Sequence, residues 1–336
     1  MLLDTLLLCP PEQAVERAAA LADCGVDGLF TFEGPHDVFL PLAAASPTGV
    51  HLATNVAIAF PRSPIHLAHL GWDLQRMSGG QFALGLGTQV RAHIERRYGS
   101  TWSAPVDRMG EWIGAVRAIW TSWQERTPLD FRGEFTTHTL MGPAFDPGPL
   151  EWGPPPIWLG ALGPRMTELA ATVADGLLVH PFSSTRHLQE VTLPRVASAL
   201  EVADRPREDL TVVGQAIISC ASDPEALAAS DAAARWLVGF YGSTPAYRPV
   251  LETEGRADLH PDLRAWSRTG DWDAMAGAID DELLSAIVLR GTPDEVAAAL
   301  VRRFGTDVDR VAFYAPGGIS DEDLRALVAA IRSTEA

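Results

Sequence analysis

Apolar positions along the chain fall into short unbroken runs, separated by longer stretches in which they recur every three or four residues. The runs cover residues 3–8, 28–32, 51–59, 82–87, 156–160, 176–179, 210–219 and 310–315. Each is strand-length and bounded by Gly, Pro or polar clusters, and its lack of alternation fits a strand buried on both faces. The stretches between them carry a helical stripe, so the chain keeps a βαβα rhythm from end to end. That is the rhythm of a parallel sheet, and eight strands is the number that closes a barrel.

The first helix opens at Pro11, carries Ala14, Ala18, Leu21 and Ala22 on one face, and ends at Gly25. Further helices are expected over 63–77, 106–123, 165–174, 186–200, 224–238, 293–304 and 321–333. Two stretches exceed the repeat. Residues 123–155 follow the fourth strand and its helix and are rich in Pro and Gly, with Phe131, Phe135 and His138. Residues 239–290 separate strands seven and eight. No linker, low-complexity block or repeat divides the chain, so residues 1–336 read as a single domain with these two insertions. In such a barrel the ligand sits at the C-terminal mouth of the strands, where long loops serve as walls and lids, and the insertions are expected there.

Polar, Gly and His residues collect just after the strands. Strand two is followed by Glu33, His36 and Asp37, strand three by 55–64, and strand four by Gly87, Thr88, Gln89 and His93. Strand five leads into "GALGPR", strand six into His180-Pro181-Phe182, and strand eight into Tyr314 and "APGG". Loops are polar everywhere, but histidine is uncommon enough for three such placements to indicate a site. Imidazole as a side chain is suited to proton transfer, which makes His36 a candidate, and it equally fits a satisfied turn histidine. Gly160 to Arg165 join a strand to a helix through two glycines. Such a turn offers backbone N–H groups to an anion, or simply satisfies turn geometry, and the segment alone does not choose. "GLGTQV" lacks the third glycine of a dinucleotide fingerprint, because position 90 is Val, and it comes fourth rather than first. His66, His69 and Asp73 share a helical face, yet their apolar surroundings favour packing over metal binding. HExxH and GxSxG are absent.

Composition narrows the chemistry further. The chain has no lysine, so Schiff-base chemistry and a P-loop lysine are excluded, and any anion must be held by arginine, backbone amides or helix N-termini. A net charge of −17 argues against nucleic acid and anionic membranes as partners. Three cysteines without CxxC spacing suggest neither a disulfide framework nor a thiolate metal site. The N-terminal apolar run lacks a basic start and is broken by Asp4, so a soluble, cytoplasmic protein is expected.

Four segments resemble the luciferase-like family of flavin- and deazaflavin-dependent oxidoreductases: "GLFTFEGPHDVFLPLA", "ATNVAIAFPRSPIHLAHLGWDLQRMSGGQFALGLGTQV", "PPIWLGALGPRMTELAATVADGLLVHPF" and "LRGTPDEVAAAL". They span most of the chain. "VRAHIERRYG" and "FYGSTPAYRPVLE" are similar to the branch assigned to coenzyme F-420. The resemblance implies a (β/α)8 TIM barrel with the cofactor across the strand ends. It also implies a homodimer formed through helices next to strands two and three. It further implies a non-prolyl cis peptide at Asn55–Val56, with Ala57 in the same bulge supporting the cofactor ring. Gly160, Ala161, Leu162, Gly163, Pro164 and Arg165 match the turn that contacts the cofactor phosphate, while Gln89 and His93 match the loop beside the ring system. Glu33 is carried over to the cofactor site. Some deazaflavin dehydrogenases read Asp-His-Phe after strand two; here the order is His36-Asp37-Val38, so the base role transfers only approximately, and His180 is the second candidate.

The leading expectation is an F-420-dependent oxidoreductase moving hydride between the deazaflavin C5 and a small organic substrate, with His36 oriented by Asp37 or Glu33. An FMN-dependent monooxygenase fed by a partner flavin reductase, and a non-catalytic cofactor-binding barrel, are the alternatives. Trp102, Phe135, Phe182 and Tyr241 are placed around the substrate mouth.

Overall fold

The computed structural model describes residues 1–335. Eight parallel strands form a closed ring: β1 (Leu2–Leu6), β2 (Gly28–Thr31), β3 (His51–Thr54), β4 (Phe82–Gly87), β5 (Ile157–Ala161), β6 (Gly176–Val179), β7 (Thr211–Cys220) and β8 (Arg310–Tyr314). Each strand pairs with its neighbours in this order, and β1 closes the ring on β8, with Leu2 beside Arg310 and Thr5 beside Phe313. The helices that wrap it are α1 (Ala14–Asp23), α2 (Leu40–Ala45), α3 (Pro64–Met77), α4 (Pro105–Glu125), α5 (Pro164–Val173), α6 (Leu193–Val202), α7 (Pro224–Gly242), α8 (Pro293–Phe304) and α9 (Asp321–Glu335). The fold is the expected (β/α)8 barrel of the luciferase-like type, with all eight expected strands in place.

Both strand faces are buried, one under the helices and one inside the ring, which is why the strands read as unbroken apolar runs. The helix layer packs closely. Gly71 of α3 leaves room for Trp120 of α4, since a Cβ there would lie 2.8 Å from the indole, and Trp120 donates its Nε1–H to the Ala68 carbonyl at 3.0 Å. Inside the ring the alternation hidden in the sequence becomes visible. Leu6, Phe30, Ala53, Leu178, Val213 and Ala312 pack together there, and every second residue along each strand continues the same inward face.

Two residues down from that layer, the N-terminal end of the barrel is closed. Arg310 clamps Asp4 with Nε–Oδ2 2.8 Å and Nη2–Oδ1 2.5 Å, both side chains being buried. Burial pushes the Asp4 carboxyl up in spite of the guanidinium. Gly28 admits the pair, because a Cβ at that position would sit 2.3 Å from the Asp4 carboxylate. Beside them His51 stacks on Trp158 with ring centroids 5.2 Å apart; its Nδ1 has no partner, and burial, reinforced by the charge of Arg310, lowers its pKa to about 3.

Several boundaries differ from the sequence reading. The third strand stops at Thr54 and resumes as Ala57–Ile58 beside β4, because a cis peptide at Asn55–Val56 interrupts it. A short strand at Val288–Gly291 pairs with the end of β7, and a run of four residues beside helical sequence gave no strand signal. The insertion at 123–155 does not wall the mouth. It leaves from the C-terminus of α4, which in a βα repeat lies at the N-terminal end of the strands, and it braces α3 and α4 instead. Its hairpin, Phe131–Arg132 with Thr137–His138, is pinned by Glu111, whose carboxylate accepts the amides of Glu134, Phe135 and Thr136. Trp72 and Arg76 of α3 donate to the carbonyls of Gly148 and Pro147. Phe135 therefore belongs to this brace and not to the mouth. The second insertion does cap the mouth: from the end of α7 to Ile287 its short helices bury Val250, Leu263 and Leu284 against Phe182 and Ile217. Asp223, Asp271 and Asp280 cap helix N-termini in and around it.

Candidate active site

At the C-terminal end of the strands the inward face turns polar. Asn55 donates from Nδ2 to Gln215 Oε1 across the ring at 2.9 Å. The cis bond at Asn55–Val56 is where the family pattern placed it. The glycines of "ALGLG" now have a packing reason: a Cβ on Gly85 would lie 1.8 Å from the Thr54 carbonyl oxygen, and one on Gly87 2.4 Å from Val56 Cγ2. Gly160 gives Val56 its other wall, at 3.1 Å. Asn55, Val56 and Ala57 thus form a bulge seated on small residues, presented to the mouth.

Glu33 holds that bulge from behind. Its Oε2 accepts the Ile58 amide at 3.1 Å and Arg62 Nη1 at 2.8 Å, and its Oε1 accepts Arg62 Nη2 at 2.9 Å. Both carboxylate oxygens are committed, so Glu33 orients the strand-three segment and not His36. Asp37 is committed too. Its Oδ1 accepts the amides of Phe39 and Leu40 at 2.8 and 3.0 Å, which opens α2 in the manner of a short-range Asx turn. His36 stands exposed on the rim. The expected His36 pair with Asp37 or Glu33 is not formed: Arg62 and the Ile58 amide take Glu33, and the amides at the start of α2 take Asp37 Oδ1.

His180 is differently placed. It follows β6 on the inward face and is walled by Tyr247 and Tyr241, with ring centroids 4.3 and 5.1 Å away. The Phe182 amide donates to its Nδ1 at 3.1 Å, across the tight His-Pro-Phe turn. A nitrogen that accepts carries no proton, so the neutral ring bears its hydrogen on Nε2. Nε2 has no protein partner among the described residues and keeps contact with the mouth. Enclosure by protein lowers the His180 pKa to about 3, even though the ring retains some accessible surface. Tyr241 and Tyr314 share a hydrogen bond at 3.0 Å between their hydroxyls, and burial raises the pKa of both. At neutral pH the groups facing this space are neutral donors.

The turn at Gly160 to Arg165 ends β5 and starts α5. Gly163 is the N-cap, no side chain caps the helix, and Pro164 occupies its first position. The first-turn amides are therefore left for water or an anion. Arg165 is exposed and reaches Asp107 at 3.5 Å. Ala161 ends the strand, and Leu162 after it packs with Phe182 and Ile217 under the second insertion. Gln89 adopts a left-handed backbone, φ 59°, and folds its Oε1 onto the Val90 amide at 2.9 Å. His93 lies on the next short helix, Arg91–Arg96, with a buried, unpartnered Nδ1.

Of the four aromatics expected at the mouth, Tyr241 lines it beside His180. Phe182 is fully buried core, Trp102 packs edge-on against Phe60, and Phe135 lies on the brace. Gln215 and Trp236 carry no motif and were missed; Tyr247 lies in "FYGSTPAYRPVLE" but was given no role. For Gln215 the signal was available, since it lies two residues beyond the inward-facing Val213. A cleft of about 390 Å³ opens beside Tyr314, lined by Leu6, Leu8, Phe32, Trp236 and Leu237 among others. Another cleft, about 410 Å³, lies between Arg117, Trp120 and Asp175, at the N-terminal ends of β5 and β6 and so away from the mouth. His66 bonds Ser63, and His69 packs on Trp123. No cluster of potential metal ligands occurs among the described residues, and no described helix is long and apolar enough to cross a membrane.

Residues 7–310 match the family model described as luciferase-like monooxygenase. A protein of Mycobacterium tuberculosis described as uncharacterized is 46% identical over 301 residues, covering 89% of this chain and 88% of its own. A second from that organism, named "Putative coenzyme F420-dependent oxidoreductase", is 30% identical over 346 residues, covering 95% of each. Among solved structures, the coenzyme F420 dependent tetrahydromethanopterin reductase from Methanopyrus kandleri superposes with a TM-score of 0.81 at 17% identity, over 99% of this chain and 98% of that one.

Proposed function

Because the chain belongs to the luciferase-like monooxygenase family, we propose that it is a coenzyme F-420-dependent oxidoreductase that moves hydride between the deazaflavin C5 and a small organic substrate. One observation carries this reading: a neutral histidine, His180, opens on the same barrel mouth as the uncapped N-terminus of α5. The residues present fit such a cofactor. The Val56 bulge, kept clear by Gly87 and Gly160, offers an apolar surface for a flat ring, and the free amides after Gly163 suit its phosphate in a chain without lysine. When bound, the deazaflavin supplies a two-electron hydride carrier that does not activate dioxygen as a flavin does. The protein's part is to position and to keep water out. Glu33 and Arg62 fix the bulge, the second insertion covers the mouth, and His180 with the tyrosine pair orients the reacting group. His180, and not His36, is the histidine that faces the substrate here, and it acts as a hydrogen-bond donor. We further infer a homodimer formed through α2 and α3, and a cytoplasmic protein whose partners are small molecules.

The test is a side-by-side calorimetric titration of the apo protein with oxidised F-420 and with FMN. Tight binding of F-420 with weak binding of FMN is expected. The reverse preference would replace this reading with the second one, an FMN-dependent monooxygenase with a partner reductase. The description of the matched family model favours that alternative, and it would appear as oxygen consumption with supplied reduced FMN.

A further inference from the structure

The polar groups of the mouth have a common sense of hydrogen bonding that limits which substrates and which direction of reaction they suit. His180 presents Nε2–H, because its other nitrogen is occupied by the Phe182 amide. Tyr241 and Tyr314 bond to one another, leaving a hydroxyl proton to offer. The carboxylate at the end of β2, Glu33, is closed off by Arg62 and the Ile58 amide, and the Asp37 carboxylate is held by the start of α2. Oxidising an alcohol needs a group that takes the hydroxyl proton; Glu33 is closed off, and His36 and Asp37, whose Oδ2 is free among the described residues, stand exposed on the rim rather than in the enclosed wall made by His180 and the tyrosines. Reducing a carbonyl compound needs donors aimed at the oxygen where negative charge develops, and these are present.

The adjoining cleft defines the rest of the molecule. Leu6, Leu8, Phe32, Trp236, Leu237 and Tyr314 line it, none charged, and Phe32 and Trp236 are 40% and 41% exposed. Trp236 lies parallel to Phe240, with ring centroids 5.4 Å apart, which stiffens the wall. Tyr314 belongs both to this cleft and to the hydrogen-bonded pair that touches His180. The volume, about 390 Å³, takes a ring-sized compound. A net charge of −17 disfavours small anions as substrates.

We propose that the substrate is a neutral, apolar α,β-unsaturated carbonyl compound, and that this enzyme reduces it, with His180 Nε2–H and the Tyr241–Tyr314 pair donating to the carbonyl oxygen. The inference rests on the F-420 reading for its reductant. Hydride, with both electrons of the donor's C–H bond, passes to the β-carbon. The C=C π pair moves toward the carbonyl, the oxygen becomes enolate-like, and a proton from water completes the saturated ketone. The donor is left oxidised by two electrons. Conjugation matters because His180 and the tyrosines hold their protons firmly. They stabilise an anion without protonating it, and an enolate persists until water reaches it.

The experiment uses 2-cyclohexen-1-one and 4-phenyl-3-buten-2-one, each ¹³C-labelled at the carbonyl, added to the apo protein and followed by carbon NMR. At least one label is expected to move downfield by several ppm on binding. The shift should be lost in His180→Ala, largely restored in His180→Gln, which keeps a neutral donor, and reduced in Tyr314→Phe. Reduction of the enone with reduced F-420 supplied should exceed oxidation of the corresponding saturated alcohol with oxidised F-420 by at least tenfold. The proposal is overturned by no shift with either ketone, by His180→Gln behaving as His180→Ala, or by alcohol oxidation matching enone reduction. The apo-protein shift does not depend on the cofactor. A protein that binds FMN instead would fail the cofactor reading while leaving the carbonyl result to stand or fall alone.

Discussion

The two ends of the barrel each enclose a histidine whose pKa falls to about 3, and they use it in opposite ways. At the closed end His51 is stacked on Trp158 beside the Asp4–Arg310 pair, with an unpartnered nitrogen facing protein. At the open end His180 has its Nδ1 satisfied by a local amide and its Nε2 left to the mouth. Burial is shared, so burial does not mark the site. What distinguishes His180 is a nitrogen whose protonation is fixed by one bond while the other faces space where a substrate fits. A perturbed titratable group becomes a functional candidate only when geometry gives it something to act on.

The contrast can be broken first at the closed end. Arg310→Ala leaves the Asp4 carboxylate buried without its partner, and removing one member of such a pair costs about 3–5 kcal/mol. Urea denaturation should show that loss, with cofactor affinity of the remaining folded protein unchanged. The converse is His180→Ala at the open end. Turnover should fall on the order of 10²-fold, the effect of losing one donor at a developing oxyanion. The melting temperature should fall far less than in Arg310→Ala. A large stability loss with little kinetic effect would make His180 another His51.

The smallest effect is one of pH, and both histidines contribute. Unfolded, each takes a proton near 6.5; folded, only near 3. The unfolded chain therefore binds more protons between these values, and stability falls as pH drops from 6.5 toward 3, by at most roughly 1.4 kcal/mol per pH unit for each ring. Above 6.5 neither contributes a slope. Denaturation midpoints measured from pH 7 to 4 should flatten by one ring's share in His51→Phe, a variant that leaves the mouth untouched.

Much of the barrel was legible because a parallel sheet buried on both faces leaves a signal in every strand, and all eight were readable as apolar runs. The mouth was less legible. Residues such as Glu33 and Asp37 stand out in a sequence because they are charged and close together, yet Arg62 and the Ile58 amide hold Glu33 and short-range amides hold Asp37. Gln215 and Tyr314 stand out less, but they continue the inward face marked by Val213 and Ala312. Following that period of two to the strand ends favours His180, two residues beyond Leu178, over His36, which lies in a loop where no periodicity fixes direction. The 123–155 insertion was misplaced for a related reason: its composition says loop, and only its position after a helix says which end of the barrel it serves.

The account turns on ligand binding at the open end alone, and a histidine side-chain nitrogen–proton NMR titration with oxidised F-420 tests that most directly. The His180 resonances should move as the cofactor is added, while those of His51, at the opposite end of the same barrel, stay fixed. Stationary His180 resonances at saturating F-420, or equal movement at both rings, would contradict it.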